Sequence, residues 1–415
     1  MFMMVPMDNL HLAVSSLMAL LLIASAVAMA TKWVRVPYTL ALVIVGLVIS
    51  PMHFLPEVHI SPELILLIFL PALLFNAAWN LKLSDLRANA LPIVTLAVVG
   101  VCLSTGVVGL ILHLAVGLSW SLAFLFGAMI SATDPVSVLA LFKSFGLPQQ
   151  LATLVEGESL FNDGTAVVVF RIVLSFVIGT TVPSAGGLVW NSVLEFGLVV
   201  LGGIAVGAVV GFTGSTLTSY FDDHLLEITL TTIAAYGSFL AAEWCRVSPV
   251  IAVLVAGLVI GNYGREKGMS ANTQVAVNSF WEYAAFVVNS LVFLLIGLEM
   301  HLPQLATDAK LVAWGILAML ISRVVAVYGL LPLTNYFGPR VSLPWQHVLF
   351  WGGLRGSLSV ALVLSLPAAV PDHQRFVLMI FGAVLFSLLV QGLTVGPLLR
   401  WLGLSRPAQP RAKPA

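Results

Sequence analysis

The feature that most constrains this chain is a series of apolar stretches, separated by short polar loops, that runs along nearly its whole length. A helix needs roughly 20 apolar residues to cross the hydrocarbon core of a bilayer, which is about 30 Å thick. Only 9% of the residues are charged, whereas soluble domains carry about 25%. The sequence therefore predicts an all-α, polytopic integral membrane protein whose main partner is the lipid bilayer.

We expect about thirteen membrane-spanning helices and no soluble domain. The predicted spans are residues 10–30, 37–52, 61–80, 90–116, 120–143, 148–179, 187–217, 224–244, 247–262, 272–299, 309–335, 343–369 and 374–403. Residues 1–403 would form one transmembrane domain, and residues 404–415 a short cytoplasmic tail. The first span lacks a basic leader and a small-residue cleavage site, so we interpret it as a retained helix rather than a signal peptide.

Basic residues divide unevenly between the two sides that these spans define, and Lys and Arg near span ends stay on the cytoplasmic side. One side holds only Arg246, Lys310 and Arg375. The other side holds Lys32, Arg35, Lys82, Arg87, Lys143, Arg265, Lys267, Arg340, Arg400, Arg406, Arg411 and Lys413. We therefore expect an external N-terminus and a cytoplasmic C-terminus in the inner (plasma) membrane of a bacterium.

Several partners are excluded at this stage. The formal net charge is +0, and no loop is basic enough to favour nucleic-acid binding. The sequence has no phosphate-binding loop of the form GxxxxGKS/T, so we expect no nucleotide. Cys102 and Cys245 have no neighbours at zinc-ligand spacing and indicate neither a disulfide framework nor a metal cofactor.

The predicted fifth span contains a proline directly after an acidic residue, in the stretch Ser131-Ala132-Thr133-Asp134-Pro135. Pro135 removes a backbone donor and disfavours helical geometry at Asp134, so we expect the helix to break there. Transporters use such unwound backbone at membrane depth to coordinate ions. A simple proline kink, satisfied by Thr133 and Ser131, is the structural alternative.

The predicted sixth span carries a dense polar face, since residues 156–165 read EGESLFNDGT. Ser159 and Asp163 are four residues apart, as are Glu158 and Asn162, so the two pairs lie on adjoining strips of one helix face. Such a face cannot point at lipid. A set of oxygens beside a broken helix suits a partly dehydrated hard cation.

A second interrupted span lies about half a chain later, where residues 352–357 read GGLRGS. Interrupted spans in corresponding positions of two halves are typical of a binding site built by inverted repeats. Arg355 is permanently charged, so if buried it should be paired with a carboxylate. We predict a structural ion pair with Glu158, with Glu156 as the alternative.

Another arginine, Arg323, lies in the predicted eleventh span. A charge at that depth also needs a partner. The sequence does not choose among three carboxylates in other spans, which are Glu195, Glu243 and Glu282.

Four stretches match motifs of one transporter family: residues 69–75 (FLPALLF), 132–138 (ATDPVSV), 156–164 (EGESLFNDG) and 352–356 (GGLRG). Together they resemble the monovalent cation:proton antiporters of the first kind, which include bacterial and archaeal sodium/proton exchangers akin to the animal exchangers. The resemblance extends over nearly the whole chain in order and spacing.

This resemblance implies two inverted six-helix repeats, two broken helices that cross in the core, and a homodimer. A core bundle, about residues 90–180 and 309–403, would move against a dimerisation bundle, about residues 10–80 and 224–299. The helix at about 187–217 would link the two bundles.

The resemblance also implies roles for individual residues. Asp163 would bind either the cation or the proton, and Glu158 and Arg355 would form the buried stabilising pair. The order Asn162-Asp163 resembles the electroneutral branch of the family, which implies one proton per cation. The ion- and proton-binding set would be Asp163, Asn162, Ser159, Thr133 and Asp134, with the cation itself on Asp163, Ser159 and Thr133.

One position departs from the family pattern. Many relatives have a glutamate after the residue that corresponds to Phe75, whereas this chain has Asn76. If that glutamate assists ion access, sodium selectivity and apparent affinity should differ here.

Together these features predict a secondary antiporter, not an enzyme, that exchanges Na⁺, or else Li⁺ or K⁺, for protons without a cofactor. Competition at Asp163 would couple the two ions, because moving an empty, ionised site through the membrane is costly. A cation channel or uniporter that uses the same polar pathway is the alternative. An intramembrane enzyme is disfavoured, since Ser159 has no mid-span histidine nearby to act as its base.

Overall fold

The computed structural model describes residues 7–33, 36–52, 63–179, 188–220, 222–300, 302–367 and 369–404. Every regular element in these ranges is a helix. In chain order the helices are α1 (Met7–Ala30), α2 (Tyr38–Met52), α3 (Leu64–Asn80), α4 (Leu83–Ala88), α5 (Ala90–Val116), α6 (Trp120–Ser131), α7 (Val136–Phe145), α8 (Gln149–Val177), α9 (Leu188–Thr218), α10 (His224–Trp244), α11 (Pro249–Val259), α12 (Ala271–Glu299), α13 (Leu302–Thr307), α14 (Ala309–Thr334), α15 (Leu343–Trp351), α16 (Ser357–Leu364) and α17 (His373–Trp401).

Seven of the helices within the described ranges are long and apolar enough to cross a membrane: α5, α8, α9, α10, α12, α14 and α17. Shorter apolar helices occur in α1, α2, α3 and α6. The prediction of an all-α, multi-pass membrane protein is therefore confirmed. The number of thirteen crossings and the inverted repeat stay predictions.

Both predicted helix interruptions are present. α6 ends at Ser131, and the backbone of Ala132 is extended, with ψ 140°, before α7 begins beyond Pro135. α15 ends at Trp351, and residues 353–356 are not helical before α16 begins. The amide of Asp134 donates to the carbonyl of Leu354 at 2.7 Å. The two breaks therefore contact each other through their backbones.

Glycines bring several helices into backbone contact away from the breaks. A Cβ on Gly207 of α9 would lie 2.4 Å from the carbonyl oxygen of Ala252 in α11. A Cβ on Gly297 of α12 would lie 2.4 Å from the carbonyl oxygen of Val43 in α2. Small residues of this kind allow close helix approach in membranes. They fix α9 on α11 and α2 on α12.

Several helices contain a π-helical turn. These turns span Leu64–Phe69 in α3, Thr95–Gly100 in α5 and Ser387–Gln391 in α17, and Ile260–Gly264 continues α11. Such turns occur often beside functional sites. The turn in α17 begins at Ser387, whose side-chain oxygen accepts a hydrogen bond from the amide of Arg355 at 3.0 Å. This π turn therefore supports the second helix break.

Candidate ion-binding site

A cavity of about 760 Å³ reaches the first helix break. One wall is formed by α8 and by both breaks, and it includes Asp134, Asp163 and Gly356. A second wall is formed by α3 and α12. Asp134, Ser159 and Asp163, which the sequence places in mid-span, therefore face a common cavity instead of lipid.

The unwound residue Thr133 is held by two side chains of α8. Ser159 donates its hydroxyl to the carbonyl oxygen of Thr133. The Asn162 amide group donates to the Thr133 hydroxyl oxygen at 2.7 Å, and the backbone N–H of Thr133 donates back to Asn162 Oδ1 at 3.3 Å. All three residues are buried. The predicted proximity of the first break and the polar face of α8 is confirmed.

Asp163 is half-buried and lies one turn beyond Ser159 on α8. Its Oδ1 atom is fully buried and has no hydrogen-bond partner among the described residues. Buried polar oxygens nearly always have a partner, so this atom can accept a proton or a cation. Asp163 also lines the cavity, from which either ion can reach it.

The side chain of Asp134 contacts residues at both helix breaks. Its Oδ1 accepts a hydrogen bond from the amide of Val136 at 2.9 Å, at the start of α7. Its Oδ2 lies so close to Gly356 that a Cβ on that glycine would be only 2.3 Å away. Asp134 therefore has a structural task, and it also lines the cavity beside Asp163.

The predicted ion pair between Glu158 and Arg355 is wrong. Glu158 instead forms a two-pronged salt bridge with Arg323 of α14, in which Arg323 Nη1 contacts Oε1 and Nη2 lies 2.8 Å from Oε2. Arg323 Nη2 also donates to the carbonyl of Leu349 at 2.8 Å. A Cβ on Gly353 would lie 2.7 Å from Arg323 Nε, so this glycine leaves room for the arginine. The paired fork geometry satisfies a buried guanidinium better than a single contact does.

Arg355 uses backbone carbonyls in place of a carboxylate. Its Nη1 donates to the carbonyls of Ser131 at 2.6 Å and Ala132 at 2.9 Å. These carbonyls have lost their helical donors at the C-terminus of α6, where the helix dipole also favours a positive charge. Arg355 is buried, and it lies within electrostatic range of Glu158 and Asp163. Arg355 therefore caps the broken helix and adds positive charge near the site.

The partners suggested for Arg323 in other spans are also wrong, because Arg323 binds Glu158. One of those residues, Glu282 of α12, instead lines the cavity. Asn289 of α12 lines it too, seven residues further along the same helix. The signal for this wall was present as a polar stripe at helical spacing in an otherwise apolar span.

Asn76 of α3 lines the same cavity as Asp163, and its role in ion access stays a prediction. Its side-chain oxygen accepts a hydrogen bond from Asn80 at 3.2 Å, and its carbonyl accepts another at 2.9 Å. The effect of an amide at this position on ion selectivity stays a prediction.

Two broken helices that meet beside a carboxylate at the end of a cavity are typical of secondary transporters. The profile of the family described as "Sodium/hydrogen exchanger, transmembrane" matches residues 17–401, and the chain belongs to this family. The predicted family is thereby confirmed.

Individual relatives agree with this assignment. The chain is 45% identical over 372 residues to the Na⁺/H⁺ antiporter ApNhaP of Aphanothece halophytica, covering 89% of this chain and 70% of that protein. It is 38% identical over 407 residues to the Na⁺/H⁺ antiporter NhaH of Halobacillus dabanensis, covering 96% of this chain and 100% of that protein.

A solved structure has the same fold. The sodium proton antiporter MjNhaP1 from Methanocaldococcus jannaschii superposes with a TM-score of 0.78 at 20% sequence identity. The match covers 95% of this chain and 99% of that chain. The helical arrangement is thus shared over almost the entire length.

Proposed function

We propose that this protein is a secondary antiporter that exchanges Na⁺ for protons, with Asp163 as the residue that binds both ions. The observation that carries the proposal is the buried Oδ1 of Asp163 at the wall of the cavity, for which the described part of the chain offers no hydrogen-bond partner. Membership of the sodium/hydrogen exchanger family and similarity to proteins named as Na⁺/H⁺ antiporters support it.

The cation would bind between Asp163, Ser159 and Thr133, because hard cations prefer oxygen ligands. The carbonyl and hydroxyl oxygens of Thr133 already accept hydrogen bonds from Ser159 and Asn162. Each oxygen has a further lone pair for the ion. Asn162 and Asp134 would hold the unwound segment in place, since Asn162 accepts the N–H of Thr133 and Asp134 accepts the N–H of Val136 at the start of α7.

Coupling would follow from competition at one carboxylate. A proton or a single monovalent cation neutralises Asp163, whereas an empty, ionised site is costly to move through the membrane. Since its neighbour Asn162 cannot ionise, one proton would be exchanged for each cation, which makes the cycle electroneutral. Li⁺ and K⁺ would compete with Na⁺ to different extents.

Access would alternate between the two sides of the membrane. The cavity lining includes Lys143, Gly146 and Gln149, which belong to the side that carries most of the basic residues. Such residues favour the cytoplasmic side. We infer that the cavity faces the cytoplasm, with the N-terminus outside, in a bacterial plasma membrane.

The moving unit would be the core bundle that holds the broken helices, carried by a homodimer through the remaining helices. α14 packs against α5 and α17, whereas α12 packs against α2 and α3. The cavity lies between α3 and α12 on one side and α7, α8 and the helix breaks on the other. A relative movement of the groups would therefore change which side reaches Asp163.

The test is proton flux in sealed proteoliposomes with an enclosed pH dye, measured while Na⁺, Li⁺ or K⁺ is added. We expect cation-dependent proton movement in the wild type and none in Asp163→Asn. Glu266→Gln is the matched control, because Glu266 is exposed and lies outside the cavity lining. Exchange that persists in Asp163→Asn would contradict the proposal, and cation conduction without pH coupling would indicate a channel.

A further inference from the structure

Glu282 is a carboxylate in the middle of an apolar helix. It has no role in the exchange reaction proposed above. It lies eleven residues after the start of α12 at Ala271, which places it about 17 Å along the helix. A charged side chain at such depth is costly unless it faces water or a partner. Glu282 is exposed and lines the cavity, so its carboxylate faces the cavity.

The other carboxylates of the cavity have different surroundings. Asp134 is bonded to the start of α7, and Asp163 lies beside the broken helices within electrostatic range of Arg355. Glu156 lies within electrostatic range of Lys143. Glu282 accepts a hydrogen bond from the neutral Asn278 at 3.1 Å, and it forms no salt bridge with any residue in the ranges that the structure describes.

Apart from Glu282, the described residues of α3 and α12 that line the cavity are uncharged, and they combine three amide side chains with leucines and alanines. The side chains of Asn76, Asn80 and Asn289 line the cavity on the same two helices, α3 and α12. Amide side chains can hydrate an ion but cannot neutralise it. A charge in a narrow cleft with low-dielectric walls raises the local concentration of counter-ions. Glu282 is therefore the charge through which this wall attracts a cation.

We propose that Glu282 attracts the hydrated monovalent cation into the cavity and holds it near the α3–α12 wall before the cation reaches Asp163. This inference rests on the proposed exchange function. Because Glu282 acts before the ion binds Asp163, it sets the apparent affinity for Na⁺ and leaves the turnover rate at saturating Na⁺ unchanged. Its effect also weakens as ionic strength rises, since salt screens charges in water-filled clefts.

The test compares Glu282→Gln with Glu282→Asp, which keeps the charge, and with Glu266→Gln, which removes a charge outside the cavity. We expect Glu282→Gln to raise the KM for Na⁺ roughly five- to tenfold at low ionic strength, with kcat unchanged. The KM for Na⁺ of Glu282→Asp should stay within about twofold of the wild-type value. The KM of Glu266→Gln should equal that of the wild type. Added choline chloride should shrink the difference between Glu282→Gln and the wild type.

A second variant returns the charge to the same wall from the neighbouring helix. Asn76→Glu in the Glu282→Gln background should restore the KM for Na⁺, whereas Asn76→Gln in that background should not. A KM for Na⁺ that is unchanged in Glu282→Gln, with or without a loss of kcat, would overturn the inference. Either result leaves exchange through Asp163 intact, whereas failure of the wild type to exchange ions would refute the proposed function itself.

Discussion

The two helix breaks differ in how their backbones are stabilised. The first break, at residues 132–135, is satisfied by side chains from elsewhere: Ser159 and Asn162 bind Thr133, and Arg355 binds the last carbonyls of α6. The second break, at residues 352–356, contributes mainly space, since Gly353 leaves room for Arg323 and Gly356 for Asp134. The first break thus presents oxygens, while the second admits charged side chains.

This difference shows that each break completes the other. Arg355 of the second break caps the helix that ends at the first, and the carbonyl of Leu354 accepts the amide of Asp134. Buried backbone groups need partners, and in lipid no water supplies them. Neither break would therefore be stable at membrane depth by itself. Changes at the second break should mainly affect stability, and changes at the first should mainly affect ion binding.

The largest effect is expected from the ion pair beside the second break. Glu158→Gln leaves Arg323 buried without its counter-charge, which should lower the free energy of unfolding by about 3–5 kcal/mol. The measurement is thermal unfolding of the purified protein in detergent. Glu158→Met combined with Arg323→Met should recover much of the loss, because both charges are then absent. A Glu158→Gln variant as stable as the wild type would show that the pair is unimportant.

A smaller effect is expected from filling the space at the second break. In Gly356→Ala the new Cβ would lie 2.3 Å from Asp134 Oδ2, so Asp134 must move. We expect a loss of about 1–3 kcal/mol in stability, since inserted methyl groups strain a packed site, together with slower exchange in proteoliposomes. Gly106→Ala is the control, because a Cβ at this position would have no described atom within 4 Å. Equal behaviour of the two variants would refute the role of space at this break.

At the first break, Ser159→Ala should change ion binding more than stability. The variant loses one hydrogen bond to Thr133, which costs about 1 kcal/mol in the free energy of unfolding. Loss of an ion ligand of similar strength should raise the KM for Na⁺ roughly fivefold. Ser144→Ala is the control, because Ser144 is exposed and its hydroxyl donates to the carbonyl of Leu141 in its own helix. A KM for Na⁺ that stays at the wild-type value would exclude Ser159 from the ion site.

The smallest effect is expected from the proline that marks the first break. Pro135→Ala should change the free energy of unfolding by about 1 kcal/mol or less, because the break is also held by tertiary hydrogen bonds. The amide of Asp134 is bonded to Leu354, and that of Thr133 to Asn162. Thermal unfolding and Na⁺-driven proton flux would check this. A large loss of both thermal stability and proton flux would show that Pro135 itself makes the break.

The sequence predicts the breaks better than their partners. Pro135 and the glycines at 352–356 act through local backbone geometry, which is readable without a structure. The polar strip of Ser159 and Asn162 follows from helical spacing, and the structure brings it to Thr133 as predicted. The roles of these residues in ion binding stay predictions.

The pairing of the arginines could not be predicted in this way. Arg323 and Arg355 both lie in apolar spans of the second half of the chain, and either could reach Glu158. The choice depends on the crossing of α14 with the second break and on the room that Gly353 leaves. The polar stripe on α12 is readable from helical spacing, but its approach to α3, which makes the second wall of the cavity, depends on helix packing that spacing does not encode. The two bundles and the link at 187–217 stay predictions.

The π turn at Ser387–Gln391 determines how α17 tolerates changes in length. A π turn holds one residue more than an α-turn and takes up that residue as a local widening of the helix. Deleting one residue within this turn would therefore restore a regular α-helix in which residues 392–401 keep their orientation relative to residues 373–386. Gly392, Val395 and Leu399 would stay buried, whereas a one-residue deletion before the turn would rotate them by about 100°. One-residue alignment gaps among relatives should consequently fall at this turn.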